Sequence, residues 1–366
     1  MKFVSAALHH VVIPFHEPFR IANGAVAEKD AIVLELQTDQ GIVGVGEASP
    51  MAGGFYSSET PESTWQYLCD HLVPAILAHD TLTPESAVDV INQFPLEPFA
   101  RAGIEGAVWD AWSREQNVPL YALLGGSYKP VPSGAAVGLC DTIDALLDRV
   151  EAQMHLGYRR MKIKIEPGWD VEPLRAIRAR FGDIPLMVDA NASYDLCTNR
   201  AALKALDEFG LMMIEQPLAK EAFDDSAALQ LQLRTPICAD ESAYSLNALN
   251  TIIDKGSARI INIKIQRVGG LHNARRIAER AMNANLPCWL GTMPELGIAS
   301  RQGLHLATHA AFTYPTDVAA GSRWYPEDIV DPAIALDEGG TLLPYSYELD
   351  RNILARRTTK SRIFTR

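Results

Sequence analysis

Five charged residues each sit at the end of a short apolar run, and the spacing between them is nearly constant. Lys164 lies in RMKIKI (residues 160–165), Asp189 ends PLMVD (185–189) and Glu215 ends MMIE (212–215). Asp240 ends PICAD (236–240) and Lys264 ends IINIK (260–264). The successive intervals are 25, 26, 25 and 24 residues, and Leu290 in PCWLG (287–291) continues the series after 26 more. Three consecutive carboxylates at strand ends can converge on one ion, because neighbouring strands lie about 4.8 Å apart. All-oxygen ligation with room for water or substrate suits a hard divalent cation, Mg²⁺ first and Mn²⁺ as a substitute. A single carboxylate in such a place would read as a helix N-cap. Three at matching register favour the ion.

Lysines flank the acids. Lys162 and Lys164 are two residues apart, so they share one face of their strand. An unperturbed lysine, with a pKa of about 10.4, is a poor base at neutral pH. A second ammonium and a metal ion nearby both disfavour the charged form and lower that value. Lys264 follows Asp240 by one unit, which puts lysines on both sides of the acids. Taken alone, Lys264 would read as an ordinary exposed or ion-paired lysine. A substrate carboxylate on the metal gains acidity at its α-carbon. One lysine then removes the α-proton, and the other reprotonates the opposite face or steadies the charge that forms. Racemisation, β-elimination of water and lactone formation all fit this chemistry. Lys204 and Lys255 lie away from the strand ends and read as solvated helix residues.

The elements that must position these groups follow from the same period. A repeat in the mid-twenties is one βα unit, and several in series make a parallel sheet, open or closed into a barrel. In a closed barrel the C-terminal strand ends share one mouth. Residues 133–139 form the first short strand. Helix 142–156 carries Ile143, Leu146, Leu147, Val150 and Met154 on one face, and Gly157 ends it. Before this lies a different pattern. Residues 31–37 and 42–47 flank the turn Thr38-Asp39-Gln40-Gly41 as a hairpin. Residues 62–112 are helical, with Ile104, Ala107, Val108 and Ala111 on one face. The composition shifts at Leu124-Gly125-Gly126-Ser127, with Pro130 and Pro132 following. The domains expected are therefore an α+β domain over 1–126, a barrel over 127–320 and a C-terminal segment over 321–366. Gly44-Val45-Gly46 lies inside a predicted strand and lacks the further glycine of a dinucleotide site.

The chain has 366 residues, 48% hydrophobic and 21% charged, which is ordinary globular composition. Lys plus Arg number 33 against 45 Asp plus Glu, a net charge of −12. That argues against nucleic acid and anionic membrane as partners, though not against an anionic substrate, since a bound cation reverses the local sign. Cys69, Cys140, Cys197, Cys238 and Cys288 are odd in number and widely spaced, so buried reduced thiols of a cytoplasmic protein are expected. The N-terminal apolar run is broken by His9, His10 and Pro14 and makes a poor signal peptide. His305 and His309 are four apart without the glutamate of a zinc protease and read as helix-face residues. No uninterrupted apolar stretch of transmembrane length occurs.

The segments Lys162-Ile163-Lys164, Asp189-Ala190-Asn191, Ile214-Glu215-Gln216-Pro217, Ala239-Asp240-Glu241-Ser242 and Asn262-Ile263-Lys264, with Arg267-Val268-Gly269-Gly270, resemble the enolase superfamily in its muconate lactonizing enzyme subgroup. Gly46-Glu47 in the front domain and Glu327-Asp328-Ile329-Val330 near the end extend the resemblance. It implies a modified TIM barrel, (β/α)₇β, under an N-terminal α+β capping domain, with the C-terminal segment returning to the cap. It implies Mg²⁺ on Asp189, Glu215 and Asp240, an acid/base pair of Lys164 and Lys264, and Lys162 tuning Lys164. Asn191, Glu241 and Ser242 would support the ligands from behind. Within the superfamily the sequence is most similar to the o-succinylbenzoate synthase / N-succinylamino acid racemase group. Phe19, Met51 and Tyr56 would then wall the substrate pocket, although the same side chains could serve as cap core. The segment from Gly291 to Ile298 resembles that group's glycine-glycine-methionine stretch and places Met293 at the substrate. Thr292 stands for a usual glycine, Pro294 for an aliphatic residue and Ala136 for a common serine, and these departures bear on the substrate.

The resemblance therefore implies dehydration to o-succinylbenzoate, with N-succinylamino acid racemisation as a second activity. A muconate-type cycloisomerase, or another lyase or racemase of acid sugars or amino-acid derivatives, is the alternative. A metal-binding barrel without catalysis is the non-enzyme alternative. The lack of a histidine at the seventh strand speaks against mandelate racemase-like chemistry, and the lack of Asp-x-Asp there against dipeptide epimerisation. The partner expected is a small carboxylate, and by analogy the chain forms a homo-oligomer.

Overall fold

The computed structural model describes residues 1–21, 24–53 and 57–366, with the side chains of 19–21 and 24 outside the description. Three antiparallel strands open the chain: β1 (Phe3–Ile21), β2 (Gly24–Thr38) and β3 (Val43–Ala48). The expected hairpin is β2–β3, with Ile32 opposite Ala48 and Gln37 opposite Val43. The N-terminal apolar run is itself β1. After short helices between residues 61 and 91, helix Pro98–Gln116 packs across the sheet. It follows that AIVLELQ does not alternate, because both faces of this sheet are covered. Ile32, Leu34 and Leu36 pack with the helices, while Ala31 and Val33 pack with Tyr325, Ile329 and Leu349 of the C-terminal segment. Gly46 has a packing reason too. A Cβ there would stand 2.0 Å from the Gly103 carbonyl oxygen of the crossing helix.

The short strand β4 (Val131–Pro132) precedes seven parallel strands: β5 (Ala135–Val137), β6 (Met161–Lys164), β7 (Leu186–Asp189), β8 (Ile214–Glu215), β9 (Ile237–Ala239), β10 (Ile260–Ile263) and β11 (Cys288–Leu290). They lie side by side in chain order from β5 to β11. Parallel bridges Cys288–Phe312 and Ser133–Thr316 make residues 312–316 the stave that closes the sheet into a barrel. Helices between the strands carry their own caps. Thr142 accepts from the Ala145 amide, Asp195 from Cys197 and Thr198, and Ser245 from Ala248. None of Asp189, Glu215 and Asp240 is an N-cap, which removes the capping account of these acids.

The chain ends with β12 (Val330–Asp331), β13 (Thr341–Leu342), β14 (Glu348–Leu349) and β15 (Thr358–Thr365). β15 pairs antiparallel with β1, from Ser5–Thr365 to Val11–Thr358, giving the N-terminal sheet the order β15-β1-β2-β3. Two expectations need correcting. Helix Gly297–Ala307 stops before His309, with the Thr308 hydroxyl bonded to the His305 carbonyl, so His305 and His309 do not share a helix face. Not all the thiols are buried, since Cys197 is exposed in the first turn of its helix and Cys140 is half-buried. Lys204 and Lys255 are exposed on helices as expected. Among the described residues, no helix is long and apolar enough to cross a membrane.

Candidate active site

Strand register brings the acids together. Lys164 is opposite Asp189, and Asp189 is opposite Glu215, each the last residue of its strand. Asp240 and Lys264 each follow the last residue of β9 and β10. In sheet order the three acids lie on adjacent strands, flanked by Lys162 and Lys164 on one side and Lys264 on the other. All six side chains are buried.

The contacts are charge-assisted. The Lys164 ammonium donates to Asp189 Oδ2 at 2.6 Å and to Asn191 Oδ1 at 2.7 Å. Lys264 Nζ donates to Asp240 Oδ2 at 2.9 Å, and Arg267 donates to the other Asp240 oxygen. Burial pushes the Asp240 carboxyl up, but Arg267 and Lys264 outweigh it and hold it well below the usual range. Burial opposes ionisation of Asp189 as well, and Lys164 and Lys162 again prevail. Glu215 goes the other way: burial, then the Asp189 charge, raise it well above the carboxylate range. Its Oε1 accepts from Asn262 Nδ2 at 2.7 Å, while among the described residues Oε2 receives no hydrogen bond.

Lys162 lies deeper in the site. Its ammonium donates to Asp317 and stands 3.3 Å from Glu215 Oε2 and 3.6 Å from Asp189 Oδ2. Burial disfavours that charge, yet Asp317, Glu215 and Asp189 together raise the Lys162 pKa above its ordinary value. Lys162 is thus held as an ammonium, not as a base. Asp317 also accepts from Arg160 Nη2 at 2.8 Å. Both cations lie over the Trp289 ring, 4.9 Å and 5.1 Å from its centroid, and the indole N–H donates to Cys238 Sγ at 3.2 Å.

A cavity opens onto this centre. Lys162, Lys164, Lys264, Asn191, Asp317, Met51, Met293 and Ala136 line it, together with Thr292, Pro294 and Trp324. Met51 and Met293 pack with Phe99, so their pocket-wall and core roles coincide. Tyr56 lies outside the described residues, and so does the Phe19 side chain. Asn191 bridges two groups, with Nδ2 donating to Glu241 Oε1 at 3.1 Å while Oδ1 takes Lys164. Burial, then Asp240, pushes Glu241 up to about 7. Ser242 is one step further out. It accepts from Gln216 Nε2 at 2.8 Å, and Gln216 Oε1 takes the backbone amides of Asp240 and Ser242.

Among the described residues, no three acid, histidine or cysteine side chains are grouped tightly enough, as placed, to hold an ion. The reason is local: Asp189 and Asp240 turn their oxygens to the lysines and to Arg267. The donor set still fits a hard cation. Three buried carboxylates stand on adjacent strands, and among the described residues Glu215 Oε2 receives no hydrogen bond, which leaves it open to a cation.

Four participants were given no role in the sequence reading: Asp317, Arg160, Trp289 and Asn262. Asp317 had a signal, since it falls 27 residues after Leu290 and continues the period through the closing stave.

Residues 3–125 match the mandelate racemase / muconate lactonizing enzyme N-terminal domain, and residues 145–346 match the enolase C-terminal domain-like family. The chain belongs to the enolase superfamily. An o-succinylbenzoate synthase from Geobacillus stearothermophilus is 39% identical over 363 residues, 98% of this chain and 96% of the relative. An N-succinylamino acid racemase from Amycolatopsis sp is 40% identical over 335 residues, 91% of this chain and 90% of that one. A solved enolase-superfamily structure from Listeria innocua Clip11262 superposes with a TM-score of 0.95 at 33% identity, covering 100% of this chain and 99% of the other.

Proposed function

We propose that this chain is a Mg²⁺-dependent enzyme that removes a proton α to a carboxylate. Its main reaction is dehydration to o-succinylbenzoate, and its second activity is racemisation of N-succinylamino acids. The observation that carries this reading is the row of three buried acids on adjacent strands, with a lysine at each side opening on one cavity. The relatives of both named activities support the choice of reaction.

Asp189, Glu215 and Asp240 would hold the ion, which draws charge from a substrate carboxylate and so acidifies its α-proton. Lys164 takes that proton in dehydration, and the same proton leaves with the hydroxyl as water. Lys264 steadies the developing charge. In racemisation the two lysines work from opposite faces, one removing the proton and the other supplying one. Lys162, fixed by Asp317, contributes charge without a proton. Asn191 holds Lys164 towards the cavity, and Glu241 and Ser242 support Asn191 and Gln216 from behind. Around the mouth, the acids Asp189, Glu215, Asp240, Glu241 and Asp317 face Arg160, Lys162, Lys164, Lys264 and Arg267. A divalent ion added to this near-balance leaves a positive surplus, which suits a substrate with two carboxylates. The same reading carries a cytoplasmic setting and a homo-oligomer.

The test is loss of the α-proton signal of N-succinylamino acids in deuterated water, within a panel that also holds the dehydration substrate, dipeptides and muconate. Muconate belongs there because Thr292 lines the cavity in a Gly-Thr-Met segment similar to that of cycloisomerases. Lys264→Ala should abolish exchange from one enantiomer; full exchange from both would end the two-lysine scheme.

A further inference from the structure

Gln266 lies two residues beyond Lys264, on the single helical turn Ile265–Val268 that leaves the barrel strand. Its side chain is 1% exposed and crosses to the N-terminal domain. There its Oε1 accepts from the Ser49 amide at 3.0 Å, and its Nε2 donates to the Glu47 carbonyl at 2.9 Å. One partner can only donate and the other can only accept, so the amide has a single orientation. In effect the side chain extends the hydrogen bonding of β3 past its last residue, Ala48.

The receiving segment is itself held from several sides. The Glu47 carboxylate accepts from Ser49 Oγ, from the Leu296 amide at 2.8 Å and from the Ala299 amide at 2.9 Å. It thus ties residues 47–49 to the loop that carries Met293 and to the start of helix Gly297–Ala307. Lys29 Nζ donates to the Ser49 carbonyl at 3.2 Å. Two residues further on, Met51 lines the cavity. Both ammonium groups are held by barrel acids, Lys164 by Asp189 and Lys264 by Asp240, and the Gln266 link acts on the backbone next to Lys264.

We infer that Gln266 is a positioning residue: it fixes the backbone from which Lys264 projects to the N-terminal domain, so that one of the two lysines is placed from outside the barrel. This rests on Lys264 being an acid/base group, as proposed above. The consequence is a one-sided sensitivity. Disturbing the link should displace Lys264 and leave Lys164 where it is.

The experiment uses the full chain with Mg²⁺ and each enantiomer of one N-succinylamino acid in deuterated water, with α-proton loss followed by NMR. Lys264→Ala identifies the enantiomer whose proton faces Lys264. Gln266→Met, which keeps the side-chain length and removes both hydrogen bonds, should slow exchange of that enantiomer by about tenfold or more, the scale on which a misplacement below about 1 Å acts. Exchange of the other enantiomer should stay within about twofold of the unaltered rate. Equal slowing of both enantiomers, or no slowing of either, overturns the inference. If Gln266→Met fails to fold, Gln266→Glu carries the same test, because it keeps the acceptor for Ser49 and loses the donor to Glu47. A second readout needs no turnover: the rate at which an amine-acylating reagent modifies Lys264 relative to Lys164, read by mass spectrometry. That ratio should shift in the variant. If the unaltered protein exchanges neither enantiomer, the proposed function fails, and an unchanged labelling ratio separately sinks the positioning role.

Discussion

Replacing Asp317 by alanine should be among the most destabilising single changes in the barrel. The carboxylate accepts from Arg160 Nη2 at 2.8 Å and from the Lys162 ammonium, and all three groups are buried. Without it, Lys162 still has Glu215 and Asp189 at 3.3 and 3.6 Å. Among the described residues, Arg160 then keeps the Pro315 carbonyl at 3.0 Å and the Trp289 face, and its Nη1 already lacks an acceptor. Removing one partner of a buried ion pair costs about 3–5 kcal/mol, because the remaining charge stays buried and uncompensated. At about 1.3 °C per kcal/mol for 366 residues, the melting temperature should fall by roughly 4–7 °C. Denaturant unfolding and calorimetry measure both quantities. Asp317→Asn, which keeps the volume and an acceptor for Arg160, should lose less. A loss under about 1 kcal/mol for Asp317→Ala, the range of an exposed pair, would refute the claim that Asp317 holds these two cations in place.

Other expectations test other layers. Burial pushes Glu105 up to about 7 despite bonds from the His272 amide and Trp109 Nε1. Its folded value is above its ordinary 4.5, so the stability it confers is complete below about 4.5 and is lost as pH rises through 7. Glu105→Gln should remove a pH dependence of about 3 kcal/mol between pH 4.5 and 8, measured by urea melts across that range. Gly46→Ala would drive a Cβ into the Gly103 carbonyl and should cost about 3 kcal/mol or more by the same melts, whereas Gly168→Ala meets nothing within 4 Å and pays only the cost of its positive φ. Chelation with EDTA should abolish α-proton exchange, and Mg²⁺ or Mn²⁺ should restore it. Exchange that persists after exhaustive chelation would remove the metal from the scheme.

Which features could be read from the sequence depends on how far apart in the chain their causes lie. The repeat that placed Lys164, Asp189, Glu215, Asp240 and Lys264 is local. Each βα unit folds its own strand, and the parallel register then aligns equivalent ends without further instruction. The strand β1 was hidden for a different reason: its buried face changes along its length, Ala6 and Leu8 against helices and then Val11 and Ile13 against the C-terminal segment. The alternation shifts phase at His9-His10, where both residues are only partly buried. The missing further glycine already sets Gly44-Val45-Gly46 apart from a phosphate loop, but the positive reason for Gly46, the close approach of the Gly103 carbonyl, comes from a helix more than fifty residues away. The spacing shows that Lys162 stands beside Lys164 as a second ammonium. What keeps Lys162 charged is not local in the chain: Asp317, 155 residues away, supplies the opposite charge. A pattern of residue types thus fixes where a charge can stand. Its pKa is decided by the partner that the closed barrel delivers, and that partner sits on the one stave whose strand is too irregular for the apolar pattern to show.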